Sequence, residues 1–411
     1  MSTVPGASGS GFVPPPYPYD RLAELNGLAT AHGDGAVDLS IGSPCDPPPD
    51  AVVRALGTSG AERGYPTATG SPAMRRAAAA WVQRRFGVAV DPANVAACVG
   101  TKELVATVPW MLRLRRPELD TVLCPAVAYP TYAMGAQLAG CRVVRVPPAA
   151  DGSLDLSAVE DDDARRSLLL WLNTPANPTG ALDDLGAAAA WARERKVPLF
   201  SDECYAEFTW HGRPRTVVEH GTDGVVAVHS LSKRSNLAGV RVGCYLGDPG
   251  LVAELAELRR HVGLMVPGPV QAAAVVAWND DGHVVAQRER YRHRLERLVA
   301  AFGTAGIDVA MPGGGFYLWV PVPGSWAGAD GWDLARALAA GAGLVSSPGD
   351  LYGQATATHV RIAVVATDDR VEEVARRVEA LGASGLAGAR PDAVGPGGVA
   401  GGAARPGDGG R

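Results

Sequence analysis

The chain has 411 residues and a formal charge of −5, with 47% hydrophobic and 20% charged residues. This composition supplies enough apolar surface for one large or two medium cores, and it excludes a wholly disordered or collagen-like protein. The mixed-sign charges argue against nucleic acid as the main partner, because binding a phosphate backbone needs a basic face.

The six cysteines stand singly, without a Cys-x-x-Cys pair or a Cys/His cluster at metal-ligand spacing. We therefore expect reduced thiols, no bound metal and a cytoplasmic location. The first residues lack the basic start and apolar core of a secretory signal. No apolar run is long enough to cross a bilayer, so no membrane partner is expected.

Both ends of the chain are rich in glycine, alanine and proline. Residues 1–16 and 382–411 carry few large apolar groups, so burial cannot offset the conformational entropy lost on ordering. We predict a flexible tail at each end. The next segment, 17–50, is expected to pack with a small C-terminal domain.

Residues 51–280 alternate short runs rich in Val, Leu and Cys with Ala/Arg/Glu-rich stretches of helical period. This rhythm predicts a large α/β domain, with a mostly parallel sheet covered by helices on both faces. The predicted helices include Pro72 to Phe86, Leu182 to Lys196 and Gly250 to Val262. The predicted strands are Thr121 to Cys124, Arg142 to Val146, Ser167 to Leu172, Pro198 to Ser201, Val225 to Ser230 and Arg241 to Leu246.

After Pro269 the rhythm changes, and residues 281–381 are predicted to form a smaller α+β domain. Apolar residues from Val284 to Phe302 recur at spacings of three, four and seven, which predicts a long amphipathic helix. The elements expected after it are a strand at Gly315 to Val320, a helix near Trp332 to Ala340, a strand around His359 to Val365 and a helix from Asp368 to Leu381.

The most informative segment follows the predicted strand that ends at Ser230. Lys233 stands just after this strand, between hydroxyl side chains, and Arg241 follows eight residues later. The lysine amine can condense with an aldehyde, while hydroxyls and a guanidinium can bind a phosphate held at a fixed distance from that aldehyde. Pyridoxal phosphate meets both demands. An arbitrary loop lysine is a solvated surface group, but this spacing favours a function.

Two segments upstream supply what a pyridine ring needs. Asp202 lies at the carboxyl end of a predicted strand, where open α/β sheets bind ligands, and its carboxylate can hold a proton on the ring nitrogen. A helix N-cap is the alternative role. Asn177 lies in a loop fixed by two prolines and a glycine, so its amide can be aimed with little loss of entropy.

Taken together, the motifs around Asn177, Asp202, Tyr205 and Lys233 resemble those of the class I and II aminotransferases, the fold type I pyridoxal phosphate enzymes. The resemblance extends over residues 17–381, with the motifs in the family's order. It implies the family's fold, with a large pyridoxal phosphate-binding domain and a smaller domain, and a transaminase activity.

The resemblance also implies roles for individual residues. Lys233 would be the catalytic lysine that joins the cofactor covalently, and Asp202 would pair with the pyridine nitrogen. Tyr129 would stack on the ring, although an ordinary core aromatic is the alternative. The other implied cofactor contacts are Asn177 and Tyr205 at the phenolic oxygen, and Gly100, Thr101, Lys102, Ser230, Ser232 and Arg241 at the phosphate.

Three further positions complete the implied site. Tyr65 lies in a segment resembling the one whose tyrosine reaches the phosphate in the neighbouring subunit, so a homodimer with shared sites is expected. Gly42 lies in a segment that resembles the one closing over the substrate. Arg361 stands inside an apolar strand, where a charge is costly unless paired. The resemblance implies that Arg361 grips the substrate α-carboxylate, with Asn177 beside it.

These parts predict a ping-pong exchange of an amino group between amino acids and 2-oxo acids. Several segments, including Gly64 to Thr67 and Val127 to Tyr132, resemble the actinobacterial succinyldiaminopimelate aminotransferases. That likeness implies glutamate and N-succinyl-2-amino-6-oxopimelate as substrates, in lysine and diaminopimelate biosynthesis. The glycine run from Pro312 to Gly315 departs from the pattern, and we expect it to alter the substrate side chain accepted.

Alternatives remain open. Within the fold they are an aminotransferase for aspartate, aromatic or branched-chain amino acids, or a pyridoxal phosphate β-lyase. A ligand-sensing regulator is disfavoured because only a short Pro/Gly-rich stretch precedes the fold, and a dinucleotide-binding oxidoreductase lacks its Gly-x-Gly-x-x-Gly turn. For the distal end of the substrate, Arg63, Arg84 and Arg234 are all candidates on chemistry alone.

Overall fold

The computed structural model describes residues 12–389, so the tail predictions for residues 1–11 and 390–411 lie outside it. The α-helices of this range are α1 (Ala23–Thr30), α2 (Asp50–Thr58), α3 (Pro72–Phe86), α4 (Thr101–Arg115), α5 (Thr131–Leu138), α6 (Asp161–Arg165), α7 (Leu185–Arg195), α8 (Leu231–Arg234), α9 (Pro249–His261), α10 (Gly268–Asn279), α11 (Gly282–Thr304), α12 (Gly331–Ala342) and α13 (Asp368–Gly388). Its strands are β1 (Val37–Asp38), β2 (Val95–Cys98), β3 (Thr121–Pro125), β4 (Arg142–Val146), β5 (Ser167–Asn173), β6 (Leu199–Asp202), β7 (Val225–Ser230), β8 (Gly243–Gly247), β9 (Tyr317–Pro321), β10 (Leu344–Val345), β11 (Ser347–Pro348) and β12 (His359–Ala363).

The larger unit is built on a seven-stranded sheet in the order β2-β8-β7-β6-β5-β3-β4. Its neighbours are parallel except around β8, which runs antiparallel to β2 and β7. Every residue of β5, β6 and β7 is buried, and a hydrophobic cluster lies on each face of the sheet. Such unbroken burial requires helices on both faces, and the predicted α/β fold class is confirmed.

The smaller unit carries the three-stranded antiparallel sheet β11-β12-β9. The N-terminal segment joins it in two ways. Strand β1 pairs in parallel with β10, and α1 packs on α12, with Leu25 and Leu334 fully buried in one core. The segment that holds α1 and β1 is therefore attached to the smaller unit by both hydrogen bonds and apolar packing.

Three details of the sequence prediction are wrong. The short strand β2 is missed, because its Val-Ala-Ala-Cys sequence shows no alternation. The strand expected from Arg241 begins at Gly243, since Arg241 takes a left-handed conformation with φ of 59°. The tail expected from residue 382 is wrong for residues 382–388, which are helical. The chain turns at Gly382 and stays helical to Gly388, because Leu386 is 1% exposed and packs in the small core.

A buried ion pair fastens the N-terminal segment to α11. Arg294 is 1% exposed, and its Nη1 and Nη2 each donate to an oxygen of Asp46 at 2.8 Å. Its Nε donates to Asp368 at the start of α13. A guanidinium removed from water in this way is costly without its carboxylate partners.

None of the described helices combines the length and the apolar character needed to span a bilayer.

We expect Asp46→Asn to lower the free energy of unfolding by about 2 to 4 kcal/mol, because it leaves the buried charge of Arg294 short of its bidentate partner. Urea unfolding followed by circular dichroism measures this loss. The matched control is Asp162→Asn, which breaks an exposed pair with Arg165 and should cost less than about 0.5 kcal/mol. Equal losses in the two variants would contradict the assignment.

Candidate active site

A cavity of about 370 Å³ opens where β5, β6 and β7 end. Because these strands are parallel, their carboxyl ends meet at one edge of the sheet. Asn173 at the end of β5 pairs in register with Asp202 at the end of β6, and β7 ends at Ser230. The predicted site residues that line this cavity are Gly42, Thr101, Lys102, Tyr129, Asn177, Asp202, Tyr205, Ser230, Ser232, Lys233, Arg241 and Arg361.

Lys233 is presented by the one-turn helix α8, directly after β7. Ser230 caps this helix, and its Oγ accepts a hydrogen bond from the Ser232 amide at 3.0 Å. The Lys233 Nζ donates to the carbonyl of Gly42. Removal of water from the ammonium lowers the pKa of Lys233 to about 8, and the nearby guanidinium of Arg361 adds to this effect. A neutral amine, which can act as nucleophile or base, is therefore accessible near neutral pH.

Asp202 is 8% exposed, and both of its oxygens are held. Oδ1 accepts a hydrogen bond from the backbone amide of Cys204 at 3.2 Å, and Oδ2 accepts one from the hydroxyl of Tyr132 at 2.8 Å. Burial raises the pKa of Asp202, and these donors oppose the shift because they favour the ionised form. No helix starts at Asp202, since the next one is a short 3₁₀ helix that begins after Tyr205. The helix-cap alternative is therefore wrong.

A cluster of donors lies at the N-terminus of α4. The Arg241 Nη1 lies 3.5 Å from Ser232 Oγ and 2.9 Å from the carbonyl of Ala238, and Arg241 forms no ion pair with a carboxylate of residues 12–389. Gly100 precedes α4 with φ of 75°, and a Cβ there would lie 2.2 Å from Arg241 Nη2. Glycine thus lets the guanidinium approach the first amides of the helix, an arrangement suited to an anion.

Arg361 is 1% exposed on β12 and lines the same cavity. Its Nη1 donates to Asn177 Oδ1 at 2.8 Å and its Nη2 to the Ser40 carbonyl, while its Nε has no partner within the described residues. The rings of Tyr317 and Tyr352 lie against the guanidinium, with centroids 4.4 and 4.7 Å from its carbon. No carboxylate between residues 12 and 389 pairs with this cation, so an anionic ligand is the partner it lacks.

The sequence analysis missed two tyrosines of the site. Tyr132 holds Asp202 as described above, and the hydroxyl of Tyr317 lies 2.9 Å from that of Tyr205. Tyr132 stands three residues after the predicted Tyr129, so its place in that motif was an available signal. Nothing local marks Tyr317, because only the pairing of β9 with β12 brings it beside Arg361.

Lys102 lies at the mouth of the cavity. Its side chain is exposed, and its Nζ lies 3.3 Å from the Tyr17 hydroxyl. The ammonium also faces the rings of Tyr17 and Tyr129, at 5.0 and 5.7 Å from their centroids. These contacts hold the charge at the opening without neutralising it.

Four predicted residues lie elsewhere. Tyr65 is 99% exposed and lies outside the cavity of its own chain. Arg63 is a solvent-exposed side chain beside Glu62, and Arg84 pairs with Asp281. Arg234 follows Lys233 but points into the core, where it pairs with Glu207 and Asp281 and lies against Trp81 and Trp278. None of these three arginines lines the cavity, so the structure does not support them as anchors within it.

A larger groove of about 720 Å³ shares Asn173 with this cavity and is lined by residues of the loop after β5. Neither a lysine nor an arginine of the described residues lines it. The glycine run at 312–315 does not line the 370 Å³ cavity. Gly314 makes room for packing instead, since a Cβ there would lie 2.4 Å from Pro175. Pro312 and Gly313 line the larger groove, which meets the cavity at Asn173, and the expected effect of this run on the substrate side chain stays a prediction.

Residues 34–378 match the family Aminotransferase class I and II. The match covers most of the chain, so the chain belongs to this family, whose members depend on pyridoxal phosphate and act on amino acids and 2-oxo acids. The site fits this cofactor on its own evidence. It holds a buried carboxylate, a lysine that is easily deprotonated, and, at a helix N-terminus, an arginine that pairs with no carboxylate of the described range.

Individual relatives refine the comparison. The chain is 42% identical over 372 residues to the 4-dedimethylamino-4-oxo-anhydrotetracycline transaminase OxyQ of Streptomyces rimosus, covering 89% of this chain and 99% of that protein. It is 41% identical over 387 residues to the probable aminotransferase Rv1178 of Mycobacterium tuberculosis, covering 92% and 88%. The structure of a probable N-succinyldiaminopimelate aminotransferase from Thermus thermophilus superposes with a TM-score of 0.79 at 30% identity, covering 89% of this chain and all of that one.

Proposed function

We propose that this aminotransferase uses the 370 Å³ cavity to move an amino group from glutamate to N-succinyl-2-amino-6-oxopimelate, giving 2-oxoglutarate and N-succinyl-LL-diaminopimelate. The observation that carries the transaminase part is the meeting of Lys233, Asp202, Arg241 and Arg361 in one cavity. One lysine of depressed pKa, one buried carboxylate and two arginines are the set that a pyridoxal phosphate transaminase needs.

Each residue then has a task. Bound pyridoxal phosphate supplies the carbonyl that takes up the amino group and a ring that accepts electrons from the substrate α-carbon. Lys233 would hold the cofactor covalently and would move the proton at the substrate α-carbon. Asp202 would hold a proton on the ring nitrogen, and Tyr129 would cover the ring face. The contacts proposed for the phosphate are Ser230, Ser232, Arg241 and the amides of Gly100, Thr101 and Lys102, and those for the phenolic oxygen are Asn177 and Tyr205.

Arg361 binds the substrate α-carboxylate with Asn177 beside it. Its Nε, which lacks a partner in the part of the chain that the structure describes, and its burial support this role, because a carboxylate would complete the hydrogen bonding of a cation already removed from water. Gly42 also lines the cavity, and its carbonyl accepts a hydrogen bond from the Lys233 ammonium.

The charges of the cavity support an acidic substrate. The described residues that line it include four cations, Lys102, Lys233, Arg241 and Arg361, and one carboxylate, that of Asp202. Once the phosphate and the α-carboxylate have their partners, Lys102 is the cation left at the mouth for a distal carboxylate. Only three of the chain's 38 lysine and arginine residues are lysines, yet two of them line this cavity. The Thermus thermophilus relative, which bears the succinyldiaminopimelate name, also supports this substrate.

A second acceptor class has its own support. The chain is more similar in sequence to OxyQ, whose name identifies a tetracyclic oxo substrate, than to the Thermus thermophilus protein. A bulky cyclic ketone as the amino acceptor is therefore the alternative to the succinylated oxo acid.

A homodimer with shared sites is part of the proposal. Tyr65 supports it, because an aromatic side chain that is 99% exposed in the single chain is suited to contact a second copy. In the dimer, Tyr65 of each subunit would reach the phosphate in the other subunit's cavity.

Lys233→Ala should abolish transamination, with a loss of at least about a thousandfold, while pyridoxal phosphate still binds without a covalent bond. The wild-type protein should be yellow and bleach with L-glutamate, which an absorbance spectrum records. The control is Lys196→Asn, an exposed position with φ of 55° that asparagine adopts readily. Wild-type turnover in Lys233→Ala would exclude Lys233 as the catalytic lysine.

Because the pKa of Lys233 is lowered to about 8, the rate of cofactor uptake by cofactor-free protein should rise up to that pH and level off above it.

Lys102→Met should raise the KM for glutamate and for the succinylated oxo acid about tenfold, the loss of one charge-assisted contact. The KM for alanine and pyruvate should change less than about twofold, since these substrates lack the distal carboxylate. Lys196→Asn again serves as the control. Steady-state kinetics on a panel that also includes oxaloacetate, phenylpyruvate and a cyclic ketone measures both the effect and the preferred acceptor. An equal change for both substrate groups would exclude Lys102 as the distal anchor.

Mixing Tyr65→Ala subunits with Lys233→Ala subunits tests the shared sites. Each variant alone lacks one component in both sites, whereas a mixed dimer has one intact site. Random reassociation should therefore restore about one quarter of the wild-type activity. Native mass spectrometry, which resolves the mixed dimer from the two homodimers by mass, is the control for exchange. A mixture that contains the mixed dimer but stays inactive would contradict a shared site.

A further inference from the structure

Two buried tyrosines of the cavity share a hydrogen bond that no step described so far uses. The hydroxyls of Tyr205 and Tyr317 lie 2.9 Å apart, and the side chains are 6% and 1% exposed. Both line the cavity, although they come from different units, Tyr205 from the loop after β6 and Tyr317 from the first position of β9. The pair therefore links the two units inside the site.

Close packing fixes the position of the Tyr317 hydroxyl. A Cβ at residue 42 would lie 2.1 Å from this oxygen, so only glycine at 42 leaves the space that the hydroxyl occupies. The ring is held from the other side by Arg361, whose guanidinium carbon lies 4.4 Å from the ring centroid. The Tyr205 and Tyr317 rings also meet edge to face, with centroids 5.5 Å apart. The hydroxyl thus has little freedom to turn away from Tyr205.

A pair of hydroxyls has two protons and one shared hydrogen bond, so one of the two protons is left for another acceptor. The guanidinium over Tyr317 favours donation by that ring, because a nearby positive charge makes a phenol a stronger donor. If Tyr317 donates, the proton of Tyr205 is the one left over. Since Tyr205 lines the cavity, this proton can be directed to a ligand.

We infer that Tyr317 is a positioning residue: its hydroxyl donates to the Tyr205 oxygen and so directs the Tyr205 proton towards the phenolic oxygen of the cofactor. This inference rests on the role proposed for Tyr205. Burial keeps both phenols protonated, raising the pKa of Tyr205 well above its usual range and that of Tyr317 to about 12. The other titratable or charged groups facing the pair are Arg361, Tyr19, Tyr129 and Cys204.

The test is a double-mutant cycle on the cofactor-loaded enzyme with Tyr317→Phe, Tyr205→Phe and the double variant. A donor at the phenolic oxygen stabilises its ionised form, so losing or misdirecting that donor should raise the midpoint pH of the visible-absorbance titration. We expect each single variant to raise the midpoint, and the double variant to raise it no further than Tyr205→Phe alone. The dissociation constant of pyridoxal phosphate, measured by equilibrium dialysis, should follow the same non-additive order.

The matched control is Tyr291→Phe. The Tyr291 ring packs against Phe316, which is also next to Tyr317, but its buried hydroxyl has no partner within the described residues. This variant should leave the midpoint unchanged. An unchanged midpoint in Tyr317→Phe beside a raised one in Tyr205→Phe would overturn the inference, as would additive shifts.

Kinetics separate the hydroxyl from the ring. Tyr317→Phe should lower kcat about three- to tenfold, the effect of one neutral hydrogen bond, and leave the KM for glutamate within about twofold because the ring still lies against Arg361. Tyr317→Leu, which removes the ring as well, should also raise that KM. A rise in KM alone in Tyr317→Phe would contradict a positioning role. If Tyr205→Phe changes nothing, the role of Tyr205 and this inference fail, while the transaminase proposal still stands or falls on Lys233→Ala.

Discussion

The site depends on one geometric constraint, that parallel strands end at the same edge of a sheet. Asn173 at the end of β5, Asp202 at the end of β6 and Ser230 at the end of β7 are far apart in sequence but adjacent in space. Strand β8 runs antiparallel to β7, so it begins at the edge where β7 ends. Arg241 lies just before β8 and is therefore at the same edge. Lys233, the carboxylate of Asp202 and the guanidinium of Arg241 thus come together in one cavity because of where the strands end.

Loss of water gives these groups their chemistry. Burial lowers the pKa of Lys233 and raises that of Asp202, and in both cases it disfavours the charged form. The protein counters this at Asp202 with the donors Tyr132 and Cys204. At Arg361 one nitrogen has no partner among residues 12–389, and aromatic rings lie against the guanidinium. Such a cation gains most from a ligand carboxylate, because its own desolvation has already occurred.

Much of the fold could be predicted from the sequence. Of the site, only those residues could be predicted that lie in a recognisable local pattern. Helix α3 has the predicted bounds, and β4 and β7 do too, because each is a clear run between turn residues. Lys233, Asp202 and Asn177 could be named as candidates because each stands at the end of a recognisable strand or a few residues after it. Arg234 could not be placed in the same way. It is next to Lys233 in sequence, but the single turn of α8 sends the two side chains in different directions, and Arg234 ends between Trp81 and Trp278.

The sequence by itself determined the alternation of strands and helices, the loops that follow the strands, and the residue types that a pyridoxal phosphate site requires, since these are properties of short segments. Tertiary structure alone decided which lysine and arginine side chains line the cavity and which are buried in ion pairs elsewhere. It also decided that Tyr317 meets Tyr205, that Gly42 leaves room for its hydroxyl, and that the chain remains helical past Gly382 because Leu386 is buried. The contacts of Tyr317 join residues that are far apart in the sequence, and their geometry depends on how β9 and β12 pair and how the two units pack, which no local pattern encodes.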